Sequence, residues 1–233
     1  MKNLTIIGGG SAALMLAAML DTSKYQVTLI EKKKTAGRKF LVAGEGGLNL
    51  TFNSSVDELI AQYVPKEFME PTLRQFSNED FISWLNVHEI PPFLGSSNRV
   101  FPELEIKPII ILNKIIEFIK MNKVKFQLNT EWLGWDSQGN LCFDNLDDLN
   151  SDIVVFAMGG ASWKVTGSDG TWSEKFIERD INVLPFKAAN CSFRVQWNAD
   201  FIALHEGKPL KNIALTYKDH YSKGDLVIVY FGL

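Results

Sequence analysis

The stretch Leu4 to Glu31, LTIIGGGSAALMLAAMLDTSKYQVTLIE, leaves few folds open. A short apolar run, Leu4 to Ile7, ends in three glycines. Ser11 to Leu20 then reads as a helix, and Gln26 to Glu31 as a second strand carried by Val27, Leu29 and Ile30. Glycine weakens regular structure by roughly 0.5–1 kcal/mol per residue relative to Ala. Three at a strand-to-helix junction therefore need a reason, and close approach of a ligand is the best one. Gly8 permits the tight turn, and Gly9 continues it. Gly10 leaves room for a pyrophosphate against the free N–H groups of Ser11 and Ala12 at the positive end of the helix dipole. Ala13 lets helix and strand pack closely. Glu31, at the tip of the second strand, can accept hydrogen bonds from both ribose hydroxyls of an adenosine.

A glycine-rich turn in some other α/β protein is the bland alternative. So is a signal peptide, since Leu4 to Leu20 is largely apolar. One Lys precedes the run, glycines break it, and an acidic strand follows at once, which disfavours secretion and membrane insertion. The 233 residues, 46% hydrophobic, suffice for one large domain, or a domain and a fragment of a second. A net charge of −3 spread along the chain predicts no nucleic-acid partner. Cys142 and Cys191 form no CxxC pattern and read as reduced thiols of a cytoplasmic protein. His88, His205 and His220 have no metal-ligand spacing, so no metal is expected.

Downstream of Glu31, Lys32 to Lys34 could suit a 2′-phosphate, but Glu31 would repel it, so an unphosphorylated ribose is expected and Lys33 and Lys34 read as solvated. Arg38 and Lys39 flank Gly37 ahead of a strand-like run, Phe40 to Ala43. Gly44, Gly46 and Gly47 then recur, followed by Leu48, Asn49 and Thr51, as a second ligand-contacting loop. Residues 56–87 read as two or three helices, with Ser77 and Asp80 as an N-cap pair. Residues 90–102, rich in Pro, Ser and Asn, read as a loop. Pro108 opens a helix to Met121 with an apolar stripe at Ile109, Leu112, Ile115, Ile116 and Ile119. Val124 to Leu128 reads as a strand. Trp132 to Trp135 and Leu141 to Phe143 read as a hairpin. Asp152 to Met158 is the continuous apolar run of a central parallel strand, ending at Gly159-Gly160. This order predicts an α/β, doubly wound sheet, with Gly10, Glu31 and Gly159 meeting at the carboxyl ends of the strands. Thr166 to Gly170 is another polar glycine loop, followed by a helix over about 172–179. From Cys191 the texture turns to strands, at 192–197, 213–217 and 226–231. The expected domains are 1–189, a nucleotide-binding domain, and 190–233, the start of a β-rich one. The apolar end at Phe231-Gly232-Leu233 suggests a truncated chain.

Several segments together resemble one family: GGGSAAL from Gly8, GRKFLVAGEGGLNLT from Gly37, RVFP from Arg99, FAMGGASWKVTGSDGTW from Phe156, AANCSF from Ala188 and GKPLKNIAL from Gly207. They are similar to the aminoacetone-oxidase-like NAD(P)/FAD-dependent oxidoreductases, a family that includes bile-acid reductases. The resemblance implies a Rossmann-like FAD-binding domain interrupted by an inserted β-barrel and a helical domain. It implies FAD as cofactor, with NAD(P)H a candidate electron donor, and a small-molecule substrate. By it, Gly8, Gly9, Gly10, Ser11 and Ala12 hold the pyrophosphate. Glu31 and Lys32 lie at the adenosine ribose, and Arg38 and Lys39 near the phosphates. Gly46, Gly47, Leu48, Asn49 and Thr51 run along the flavin. The backbone near Trp132 touches the adenine, and Ala157, Met158, Gly159 and Gly160 touch the adenylate side. Glu45 stands where this branch tends to carry a basic residue. Family members are longer, so a complementing C-terminal fragment is a candidate partner, and a non-catalytic remnant or a simple NAD-binding dehydrogenase are the alternatives. No catalytic residue is expected from the residues alone.

Overall fold

The computed structural model describes residues 1–42, 48–95, 98–103, 106–147, 149–188 and 192–232, with backbone alone at 212 and 222. The chain forms two compact units, Met1–Phe186 and Lys187–Leu233. In the first, β1 (Lys2–Ile7), α1 (Ser11–Met19) and β2 (Tyr25–Glu31) make the expected strand-helix-strand start. The short helix α2 (Arg38–Val42) and the strand β3 (Thr51–Phe52) follow. Then come α3 (Val56–Ile60), α4 (Lys66–Gln75) and α5 (Asn78–Val87), and a pair of strands, β4 (Pro92–Leu94) and β5 (Arg99–Pro102). The crossover helix α6 (Pro108–Met121) leads to β6 (Lys125–Leu128), the hairpin β7 (Trp132–Trp135) and β8 (Leu141–Phe143), the strand β9 (Ile153–Phe156), and α7 (Trp172–Ile177).

Four strands form a parallel sheet in the order β6-β2-β1-β9. Register pairs Ile7 with Ile30 on one side and with Phe156 on the other, so these three strands end level with one another. Apolar periodicity explains the packing. Ala13, Leu14 and Ala17 on α1, and Ile111, Leu112, Ile115 and Ile119 on α6, are buried with Ile6, Val27 and Leu29 in one core. Each large side chain buried there is worth roughly 1.5–3 kcal/mol. Ala13 is fully buried, as its place in the glycine motif requires for close helix–strand contact. Ser77 caps α5 in a box with Asp80, satisfying N–H groups that would otherwise be orphans.

Three expectations are corrected. The run from Phe40 to Val42 lies in a helix, because a short apolar run fits either period and here Leu41 bonds back to Gly37. Residues 90–102 hold two antiparallel strands, which with β3 form a three-stranded sheet. Its pairing sets Pro92 opposite Pro102, and no local signal announced it. On α6 Leu112, Ile115 and Ile119 are buried as expected and Ile116 packs against the core, but the stripe takes in Ile111 and leaves Ile109 43% exposed.

The second unit holds α8 (Ala199–His205) and an antiparallel ribbon of β10 (Pro209–Tyr217) and β11 (His220–Val227). The expected strand at 192–197 is reduced to one bridge at Arg194, and of the expected strand at 226–231 only 226–227 lie in a strand, as the end of β11, with Val229 in an isolated bridge. Helix α8 was not foreseen. Among the described residues this unit contains no closed barrel. No helix among the described residues is long and apolar enough to cross a membrane.

Candidate functional site

The level ends of β2, β1 and β9 open into a cleft of about 690 Å³, within the size range of small-molecule sites. Residues 8–12, Glu31, Lys32, Arg38, Lys39, Leu48, Asn49, Trp132 and residues 157–159 all line it. Two expected residues do not. Thr51 pairs with Val100 in the small sheet, and Gly160 turns its carbonyl to the Ser168 hydroxyl, which donates to it at 2.8 Å. Gly46 and Gly47, together with Gly44 and Glu45, lie outside the described residues.

The three motif glycines do different work. Gly8 has φ +104°, and a Cβ there would stand 2.6 Å from the Ala157 carbonyl oxygen. It is where the main chain just after β1 closely approaches the main chain just after its parallel neighbour β9. At Gly9 a Cβ would meet the Glu31 carboxylate at 2.7 Å. At Gly10 a Cβ would meet nothing within 4 Å, because that side of the chain is the open cleft. Gly10 is also the N-cap of α1, with no side-chain cap and no acid in the first turn. The first N–H groups of the helix are thus left for an anion, with the positive end of the dipole behind them.

Glu31, at the tip of β2, reaches the middle of this turn. Its Oε2 accepts from the Gly9 N–H at 2.7 Å and its Oε1 from the Lys33 N–H at 2.8 Å. The carboxylate is therefore fixed by backbone before any ligand arrives, and each oxygen keeps acceptor capacity for a ribose hydroxyl. Arg38 enters from the first turn of α2, and its buried Nε has no hydrogen-bond partner. An orphaned cationic donor on a cleft wall fits a phosphate-bearing ligand. Lys39 instead donates to the Ser162 hydroxyl. Trp132, 5% exposed, is held edge-on to Trp135 at 4.7 Å and tilted against Phe156 at 5.0 Å, a rigid aromatic wall beside the cleft.

One further side of the cleft carries no assignment from sequence. Residues 166–169, Thr171 and Trp172 line it. Lys32 Nζ reaches Asp169 Oδ2 at 2.7 Å, with Glu131 at 3.9 Å. Burial pulls the Asp169 carboxyl upward, but hydrogen bonds from Lys32 and Thr171 outweigh it and hold the group below its ordinary value. The polar glycine loop TGSDG was the available signal. Its partner, Lys32, lies 137 residues away in sequence.

Comparison with known proteins identifies the family of the fold. Residues 2–214 match the HI0933-like protein Rossmann domain. The ribosomal RNA dihydrouridine synthase of Escherichia coli is 28% identical over 191 residues, covering 81% of this chain and 47% of that protein. The 3-dehydro-bile acid delta(4,6)-reductase of Clostridium scindens is 27% identical over 176 residues, covering 73% of this chain and 42% of that protein. The chain thus spans about half the length of the curated relatives it matches. Among solved structures, the open conformation of a flavocytochrome c3 fumarate reductase gives a TM-score of 0.49 at 16% identity, covering 68% of this chain and 34% of that one.

Proposed function

The chain belongs to the family of the HI0933-like protein Rossmann domain, and from that premise we propose that it is an FAD-binding oxidoreductase. One observation carries the reading. The uncapped start of α1, the empty space at Gly10 and the braced carboxylate of Glu31 face a single cleft at the strand tips. That arrangement suits a diphosphate at one end and an adenosine ribose at the other. The N–H groups at Gly10 to Ala12 hold the pyrophosphate, Arg38 adds positive charge, Glu31 takes the ribose hydroxyls, and residues 157–159 pack on the adenylate side. Bound flavin supplies the redox chemistry, accepting and returning an electron pair. The protein supplies position, charge and exclusion of water.

Within the family, the aminoacetone-oxidase-like and bile-acid-reductase-like branch is the assignment we favour, and a relative named as a reductase supports the redox reading. Another relative is named for ribosomal RNA. In this chain 24 basic residues stand against 27 acidic ones, which supplies no excess of positive charge for a polynucleotide, so the substrate proposed is a small molecule. A cytoplasmic location belongs to the same reading, supported by the free thiol of Cys142.

The test is reconstitution of the chain with FAD, followed by desalting and an absorbance spectrum. Retained flavin, displaced by excess ADP, is the expected result. ADP binding without flavin retention would reduce the chain to a nucleotide-binding module. Binding of neither removes the assignment.

A further inference from the structure

Lys32 occupies the position where nucleotide-binding folds of this kind place a cation when the ribose carries a 2′-phosphate, directly after the acid at the tip of the second strand. Here that cation is already committed. Its ammonium lies 2.7 Å from Asp169, with side-chain exposures of only 24% and 18% for the two partners. Asp169 is itself fixed, because its other oxygen accepts from the Thr171 hydroxyl at 2.9 Å and the Thr171 N–H at 3.3 Å. Glu131 adds a second carboxylate 3.9 Å from the ammonium. Glu31, Lys32, Glu131 and Asp169 all line the cleft, the last three within 4 Å of one another through the Lys32 ammonium. A 2′-phosphate entering there would meet three carboxylates and one lysine whose charge is spent. A 2′-hydroxyl would meet only acceptors it can donate to.

We propose that Asp169 is a selectivity residue: by sequestering Lys32 it restricts the adenosine end of the cleft to an unphosphorylated ribose and keeps 2′-phosphorylated nucleotides out. The inference rests on the nucleotide-binding reading above and extends it to a residue of the TGSDG loop. Selection works by withholding a cation from the wrong ligand rather than by adding a contact to the right one. Glu31 alone does not achieve this, since its two oxygens are braced by backbone and a free Lys32 beside it would offset its charge.

The test uses the full 233-residue chain, with 5′-AMP and adenosine 2′,5′-bisphosphate titrated separately by calorimetry. The unaltered chain is expected to favour 5′-AMP by at least about tenfold, the scale of one charged hydrogen bond. Asp169→Asn keeps the side-chain shape but frees the ammonium, and should narrow the preference by about tenfold through tighter binding of the bisphosphate. Adding Lys32→Met to that variant should restore the original preference. If Asp169→Asn binds both ligands with the original ratio, the selectivity role is wrong while the nucleotide site stands. If the unaltered chain binds neither ligand, the site reading falls and the selectivity role with it. Should Asp169→Asn fail to fold by circular dichroism, the double variant Asp169→Asn with Lys32→Met, which removes the ion pair without changing the net charge, decides: an unchanged ratio supports sequestration, and a much stronger preference for 5′-AMP shows that Lys32 was available to the phosphate and overturns it.

Discussion

The two glycine-bearing turns at the strand tips look alike in sequence and behave oppositely in structure. After β1, Gly10 leaves the main chain bare, and the first N–H groups of α1 have no cap. After β9, the main chain is stitched shut. Gly159 accepts from the Trp172 indole N–H at 3.0 Å, Gly160 accepts from Ser168, and a Cβ on Gly170 would meet the Ala161 Cβ at 2.7 Å. One turn spends its glycine on space for something that is not protein. The other gives its main-chain carbonyls to neighbouring protein, although a Cβ at Gly159 or Gly160 would come no nearer than 3.4 Å to it. Glycine content alone therefore marks a candidate ligand loop, and whether the turn's main chain already has protein partners decides which kind it is.

This contrast can be broken by substitution. Gly8 lies on the packed side of the first turn, so Gly8→Ala forces a methyl into the Ala157 carbonyl at a positive φ. It should lower folding stability by about 3 kcal/mol, read by denaturant titration. A loss under about 1 kcal/mol would mean the main chain after β1 and β9 can separate enough to admit the methyl. Glu31→Ala removes the ribose acceptor and should cost about 1.5–3 kcal/mol of ADP affinity, measured by calorimetry. It also strips the partner from the Gly9 and Lys33 N–H groups, so some folding stability should go with it. Unchanged affinity would say that the carboxylate serves the backbone only. On the stitched turn, Trp172→Phe deletes the bond to Gly159 and should cost about 1 kcal/mol of stability, with a much smaller change in ADP affinity than Glu31→Ala produces.

The smallest effect concerns pH. The Asp169 carboxyl is held below its ordinary value near 3.8, so it titrates lower in the folded chain than in the unfolded one. Its contribution to stability is present above that ordinary value and is lost as pH falls through the lower, folded-state value. Both partners of the pair are partly screened by solvent, so the loss is modest. Asp169→Asn should flatten that acid limb in a series of melts, and an identical limb in the variant would assign it to other carboxylates.

Local chemistry made much of this legible. The alternation from apolar run to glycine to helix placed β1, α1 and β2, Pro108 placed the start of α6, and Ser77 with Asp80 placed the start of α5. The hairpin of β7 and β8 followed from its turn residues. What stayed hidden depends on partners distant in sequence. Strands β4 and β5 exist because they pair with each other and β5 with β3, a fact their prolines argued against. Helix α2 carries too few residues for periodicity to separate helix from strand. In the site, the glycines and Glu31 were readable because their spacing is local. The tie from Lys32 to Asp169 was not, since nothing near either residue names the other. Nor did the sequence show that Lys39 would turn to Ser162, or that Gly160 would face its own loop.

The account stands on the bare turn at Gly10, and calorimetric titration of ADP into the native chain and Gly10→Val tests it most directly. A valine there has open space around its Cβ and an extended backbone, so stability should change by no more than about 1 kcal/mol. The native chain should bind, and the folded variant should lose at least about a hundredfold in affinity, roughly 2.7 kcal/mol. Equal affinity of the two proteins would contradict the assignment of the diphosphate to this turn.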